Sequence, residues 1–159
     1  MTIELNDRAI YDEILALTAL RASCRRNSDE ESILLTRDSL PGLRNMARMM
    51  FADTVVRLGS LVKSCNMGDT DPQPALPYSN DSTQPLSLEL DGATSEKSLA
   101  IKRTLEHIVA AKVLEAVASG GDQEFAATLR CQYIAATDAL RETLGNEDNC
   151  STTAIFPHW

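Results

Sequence analysis

The sequence predicts an all-α protein, a four-helix bundle with two short β-strands, and three observations lead there. Apolar residues recur in steps of three and four over long stretches, as helices that bury one face require. Only two short segments, 2–5 and 86–90, alternate apolar and polar residues instead. Glycine, proline and small polar residues punctuate the chain where one helix must hand over to the next. A chain of 159 residues, 43% hydrophobic, is long enough to bury a core without disulfide or metal staples. With 4% aromatic residues, that core rests on Leu, Ile, Val, Met and Ala.

Taken in order, Ile3-Glu4-Leu5 reads as a very short strand, and Asn6 as the N-cap of the first helix, with Asp7 favourable at its positive end. Ile10, Ile14, Leu17 and Arg21 follow one face, with Tyr11, Leu15 and Thr18 beside them, and the helix ends near Arg25-Arg26. Ser28-Asp29-Glu30-Glu31 has the form of a capping box that starts a second helix. Pro41-Gly42 predicts a kink in it, or a split into two pieces meeting near Leu40. The helical spacing then resumes through Leu43, Met46, Met50, Phe51, Leu58 and Leu61 to about Cys65. Met46, Met49 and Met50 suit irregular gaps in a core, or else an adaptable binding surface.

Residues 67–93 form a connecting loop that Pro72, Pro74, Pro77 and Pro85 keep from being helical. It leads into Leu86-Ser87-Leu88-Glu89-Leu90, a strand with one apolar face. The third helix runs from about Thr94 to Ser119, where Gly120-Gly121 is expected to end it through a left-handed cap. Asp122 caps the fourth helix, whose Phe125, Leu129, Tyr133, Ala136, Leu140 and Leu144 keep one face until Gly145 stops it. Residues 1–148 are thus read as a single helical domain and 149–159 as a flexible C-terminal tail. Ile3-Glu4-Leu5-Asn6 followed by two helices is echoed by Leu88-Glu89-Leu90-Asp91 followed by two more, a rough βαα duplication. Pairing the two strands at one end of the bundle would satisfy the backbone groups that each alone leaves open.

The net charge of −8 argues against nucleic acid and anionic lipid as partners. Residues 1–66 carry nine basic and nine acidic side chains, and residues 67–159 carry six and fourteen, so the acidity lies in the second part. It reads as a solvated surface, or as a docking face for a basic partner. The basic run Arg21, Arg25, Arg26 is followed by Asp29-Glu30-Glu31 and has no interleaved aromatics on which bases could stack. No apolar run is long enough to span a membrane, and the opening residues have no basic signal-peptide segment. Cys24, Cys65, Cys131 and Cys150 form no C-x-x-C pair, which favours a reducing, cytoplasmic setting.

The residues with chemistry are few. A di-iron bundle needs Glu-x-x-His, but the residue three before His107 is Thr104. Glu106 and His107 therefore read as part of a solvated face, and His158 lies in the tail. His107 with Cys131 is the one pairing that could serve a small enzyme or a ligand pocket; otherwise Cys131 reads as a buried, inert thiol. No catalytic residue, metal ligand or cofactor site is predicted, and the expected role is non-enzymatic. Two features suit protein partners, a second copy of the chain among them. Leu86, Leu88 and Leu90 lie on a strand expected to have an open edge. Ile155, Phe156 and Trp159 place the sole tryptophan on a tether, as in a docking peptide.

Ile10-Tyr11-Asp12-Glu13-Ile14-Leu15-Ala16-Leu17-Thr18-Ala19, Ser28-Asp29-Glu30-Glu31-Ser32-Ile33-Leu34, and Leu86-Ser87-Leu88-Glu89-Leu90 leading into Leu105-Glu106-His107-Ile108-Val109 carry a resemblance. In this order the chain is similar to a family of short helical proteins from prophage-like and other mobile-element gene clusters of gut bacteria. The chain departs from that pattern at Pro41-Gly42, and at Leu114 or Val117 where an aromatic is expected. The resemblance implies no activity and no functional residues. It implies a setting, virion assembly or another interaction role for a small acidic subunit working in an oligomer.

Overall fold

The computed structural model describes residues 1–24, 40–67 and 85–145. In chain order these form β1 (Thr2–Glu4), α1 (Asp7–Cys24), α2 (Leu40–Leu58), a 3₁₀ turn (Gly59–Leu61), β2 (Val62–Asn66), β3 (Ser87–Leu90), α3 (Ser98–Ala118) and α4 (Gln123–Gly145). The protein is mostly helical, with a small antiparallel three-stranded sheet. The order β1-α1-α2 recurs as β3-α3-α4, with β2 inserted between. The Ser28 capping box, most of the connecting loop and residues 149–159 lie outside the described residues.

Helix α3 is the centre. α1, α2 and α4 all pack against it, whereas α1 and α2 barely touch each other. Every residue from Leu105 to Leu114 is buried except His107, so this helix is apolar nearly all round, as a fully enclosed helix must be. Glu106 is therefore not on a solvated face: it is 7% exposed, because β1, α1 and α2 cover the side that α4 leaves open. In α4 Leu129, Tyr133, Leu140 and Leu144 of the predicted stripe are buried, while Phe125 and Ala136 are half-buried and their neighbours Ala126 and Thr137 are buried instead.

Both predicted caps form. The Asn6 Oδ1 accepts a hydrogen bond from the Arg8 N–H at 2.9 Å, and the Asp122 Oδ1 accepts one from the Phe125 N–H at 3.1 Å, each satisfying an orphan donor of a first helical turn. The α3–α4 turn differs from expectation. Neither Gly120 nor Gly121 takes a positive φ; instead the Gly121 and Asp122 N–H groups both donate to the Ala118 carbonyl, at 3.0 and 2.7 Å. Pro41 and Gly42 stand in the first turn of α2, where a missing N–H breaks no helical bond. The described part of this helix begins at Leu40, and the residues before it, where a first piece is expected, lie outside the described residues.

The sheet order is β1-β3-β2. β1 pairs antiparallel with β3, setting Ile3 opposite Leu88, and both are buried. The Leu5 N–H extends the pairing by donating to the Leu86 carbonyl at 2.8 Å. β2 occupies the other side of β3 with a register shift between Val62 and Ser64. This strand replaces the end of the helix expected to reach Cys65. The helix stops at Leu58 because Gly59 has φ +58°, a left-handed step that L-residues disfavour.

No atom lies within 4 Å of a Cβ placed on Gly59, so substitution there is opposed by backbone strain alone. Gly59→Ala is expected to lower stability by about 1 kcal/mol, read as a reduced urea midpoint at unchanged m-value. An unchanged midpoint would mean that the turn after α2 does not need the left-handed conformation.

Candidate functional site

The polar residues of α3 each meet a different element. The Glu106 Oε1 accepts a hydrogen bond from the Asn6 N–H at 2.8 Å, holding the β1–α1 junction; burial pushes its carboxyl up while that bond opposes the shift. His107 Nδ1 lies 2.8 Å from the Glu13 Oε1 of α1. Glu115 Oε1 accepts from the Arg130 Nε of α4 at 3.1 Å. Lys112 turns towards α2 and makes the most enclosed of these contacts.

The Lys112 side chain is 3% exposed. Its Nζ donates to the Asp53 Oδ2 at 2.7 Å and to the Thr54 Oγ1 at 2.9 Å, and lies 5.4 Å from the centroid of the Tyr133 ring. Asp53 and Thr54 come from α2 and Tyr133 from α4, so one ammonium joins three helices. The same Asp53 Oδ2 accepts from the Arg57 Nε at 3.0 Å. Hydrogen bonds from Lys112 and Arg57 hold the Asp53 carboxyl below its usual range. Burial lowers the Lys112 pKa, with Asp53 opposing.

Directly outside this cluster, α2 and α4 diverge and leave a shallow groove of about 290 Å³ lined by Arg57, Ile134, Thr137, Asp138 and Arg141. Ile134 is 41% exposed, and Val56, beside Arg57, is 76% exposed. The groove thus gathers one apolar side chain, two guanidiniums and the Asp138 carboxylate, with Arg57 also bonded to Asp53, on a protein whose net charge is −8.

The residues proposed from sequence are placed differently. Leu86, Leu88 and Leu90 are 2%, 1% and 1% exposed: they face the core, and β3 has neighbours on both sides. The open edge expected at 86–90 does not exist, because β2 fills it. The outer edges belong to β1 and β2, and β2 is short, bulged and carries Lys63, features that discourage further pairing. Ile155, Phe156 and Trp159 lie outside the described residues. Cys24, Cys65 and Cys131 are free and exposed; Cys131 falls outside the α4 stripe and is not a buried thiol. The contacts of Glu115 with Arg130 and of Lys112 with Tyr133 set α3 and α4 antiparallel, which puts His107 about 10 Å along the helix axis from the level of Cys131.

Arg21, the head of the basic run, is committed to α4. Its Nε and Nη2 donate to Asp122 at 3.0 and 3.2 Å, and Nη2 also donates to Glu124 at 2.7 Å. Lys112, Asp53, Arg57 and Arg141 were not singled out from the sequence. The available signal was the lone lysine in Ile108-Val109-Ala110-Ala111-Lys112-Val113-Leu114, since a lysine in such a run must find a buried partner. Among the described residues no cluster of His, Cys, Asp and Glu could hold a metal ion, and no helix is long and apolar enough to cross a membrane. No family model, curated protein or solved structure matches the chain.

Removing one partner of a buried ion pair costs more than replacing the buried charge with an apolar side chain. Asp53→Ala is expected to destabilise by about 2 kcal/mol, and Lys112→Met to stay within about 1 kcal/mol of the parent. The Asp53 carboxyl titrates below its ordinary 3.8 in the folded protein. Its contribution is therefore complete above that value and is lost as the pH falls through the lowered folded value. Asp53→Asn should flatten that acid limb in stability measurements, and an unaltered limb would contradict the pairing.

Proposed function

We propose that the protein is a non-enzymatic, self-associating subunit, and that residues 147–159 of one copy seat in the α2–α4 groove of another. The observation that carries this reading is Ile134 exposed in a groove that Arg57 and Arg141 also line, their two charges outweighing that of Asp138. A matching ligand would be apolar and acidic, and this chain contains one. Glu147-Asp148 is followed by Ile155, Phe156 and Trp159, so carboxylates can meet Arg57 and Arg141 while a large apolar side chain covers Ile134. Helix α4 carries the chain past the groove, and the residues after Gly145 can extend about 45 Å, enough to reach a neighbouring copy.

A non-catalytic role is supported by the partners that Lys112 and His107 already have. Lys112 is held by Asp53, Thr54 and the Tyr133 ring, and His107 faces Glu13. The similarity to proteins of prophage-like clusters supports an assembly setting, a virion or mobile-element particle in which copies of one small acidic chain repeat. A small enzyme or ligand pocket at His107 and Cys131 lacks such support, since the two lie at different levels of the α3–α4 pair.

Light scattering on the full chain and on a chain ending at Gly145 tests the proposal. The full chain should be dimeric or larger at micromolar concentration and the shortened chain monomeric, with Arg57→Glu/Arg141→Glu weakening association as the deletion does. A shortened chain that associates as well as the full one overturns the docking role of 147–159. A full chain that stays monomeric overturns self-association.

A further inference from the structure

On the opposite side of α2, Arg44 and Arg48 lie one turn apart and point towards Asp7 and Tyr11, one turn apart on α1. The two helices have little direct contact, and the approach of Arg44 to Asp7 and the charge of both arginines at Tyr11 put these side chains between them. Arg48 is 8% exposed. Its Nε and Nη1, together with the Arg44 Nε, are buried without a hydrogen-bond partner. Among the described residues the nearest carboxylate oxygen to Arg44, Asp7 Oδ2, stands 4.0 Å from its Nε, too far for a hydrogen bond.

The charges are unbalanced. Among the described residues two guanidiniums face one carboxylate, and neither arginine can shed its proton. Buried donors are nearly always satisfied, and a buried charge without a counter-charge is costly. Burial pushes the Asp7 carboxyl up and the Tyr11 hydroxyl up to about 12, so this is a water-poor site in which charge is felt strongly. Tyr11 stays protonated at neutral pH and adds no second negative charge.

We propose that the cleft between α1 and α2 is an oxyanion site in which Arg44 and Arg48 hold a carboxylate or phosphate group. Such a group supplies the missing negative charge and acceptor oxygens for the buried N–H donors, and guanidiniums recognise both chemistries. The site is separate from the α2–α4 groove, so it stands or falls independently of self-association.

The test is an NMR titration of the arginine Nε–Hε signals in the full chain, with inorganic phosphate and with acetate in separate arms at constant ionic strength. Arg44→Lys and Arg48→Lys assign the two signals. Those of Arg44 and Arg48 should move saturably, with the thermal midpoint rising in parallel, and the arm that saturates at lower concentration identifies the preferred group. Arg48→Lys should weaken binding by about tenfold, since an ammonium lacks the planar fork. If it does not fold, the parent titration alone decides. Shifts that never saturate in either arm, or that match those of the exposed Arg103, overturn the proposal.

Discussion

The fold depends on enclosing one helix. Once α3 is buried from Leu105 to Leu114, its neighbours have little freedom, because they must cover every side of a cylinder about 10 Å across. Burying a large aliphatic side chain contributes about 1.5–3 kcal/mol, so Leu105, Ile108, Val109, Val113 and Leu114 form the main apolar store of the core. The sheet closes one part of this enclosure with Ile3, Leu86, Leu88 and Leu90. Apolar contact alone does not say which neighbour belongs on which side.

The polar residues of α3 supply that distinction. Glu106 takes the Asn6 backbone, His107 takes Glu13, Lys112 takes Asp53 and Thr54, and Glu115 takes Arg130. The Glu106 and Lys112 contacts discriminate most, since another element in the same place would leave a buried polar group unsatisfied. Exposed pairs such as Arg8 with Asp12 add little by comparison. The Lys112 contact matters most for the surface outside it, because it draws Asp53 and Arg57 to the margin of the α2–α4 groove.

Much of this was legible in the sequence where a helix has one wet and one dry side. The α4 stripe, the Asn6 and Asp122 caps, and the pairing of the strands at 2–5 and 86–90 could be read from spacing and residue type. Helix α3 could be located, but its polar residues could not be assigned a surrounding: in a helix buried all round, apolar periodicity no longer distinguishes inside from outside. β2 was hidden for another reason. Leu58 and Leu61 continue the helical spacing, Val62-Lys63-Ser64-Cys65-Asn66 is mostly exposed, and the change from helix to strand rests on the φ of Gly59. Arg44 and Arg48 were equally silent, because a solvated arginine pair and one facing another helix have the same local sequence.

The central position of β3 has a consequence for the order in which the chain can assemble. β1 has no strand partner until residues 87–90 are available, some 85 positions later, and closing so long a segment carries a large entropic cost. The α3–α4 hairpin, joined by a turn of four residues, needs no such closure. During synthesis, the first strand must therefore wait unpaired while α1 and α2 emerge. β3 precedes α3 and α4 in the chain, so the strands become available for pairing before the helix that buries their apolar side, and until then Ile3 is open to wrong partners.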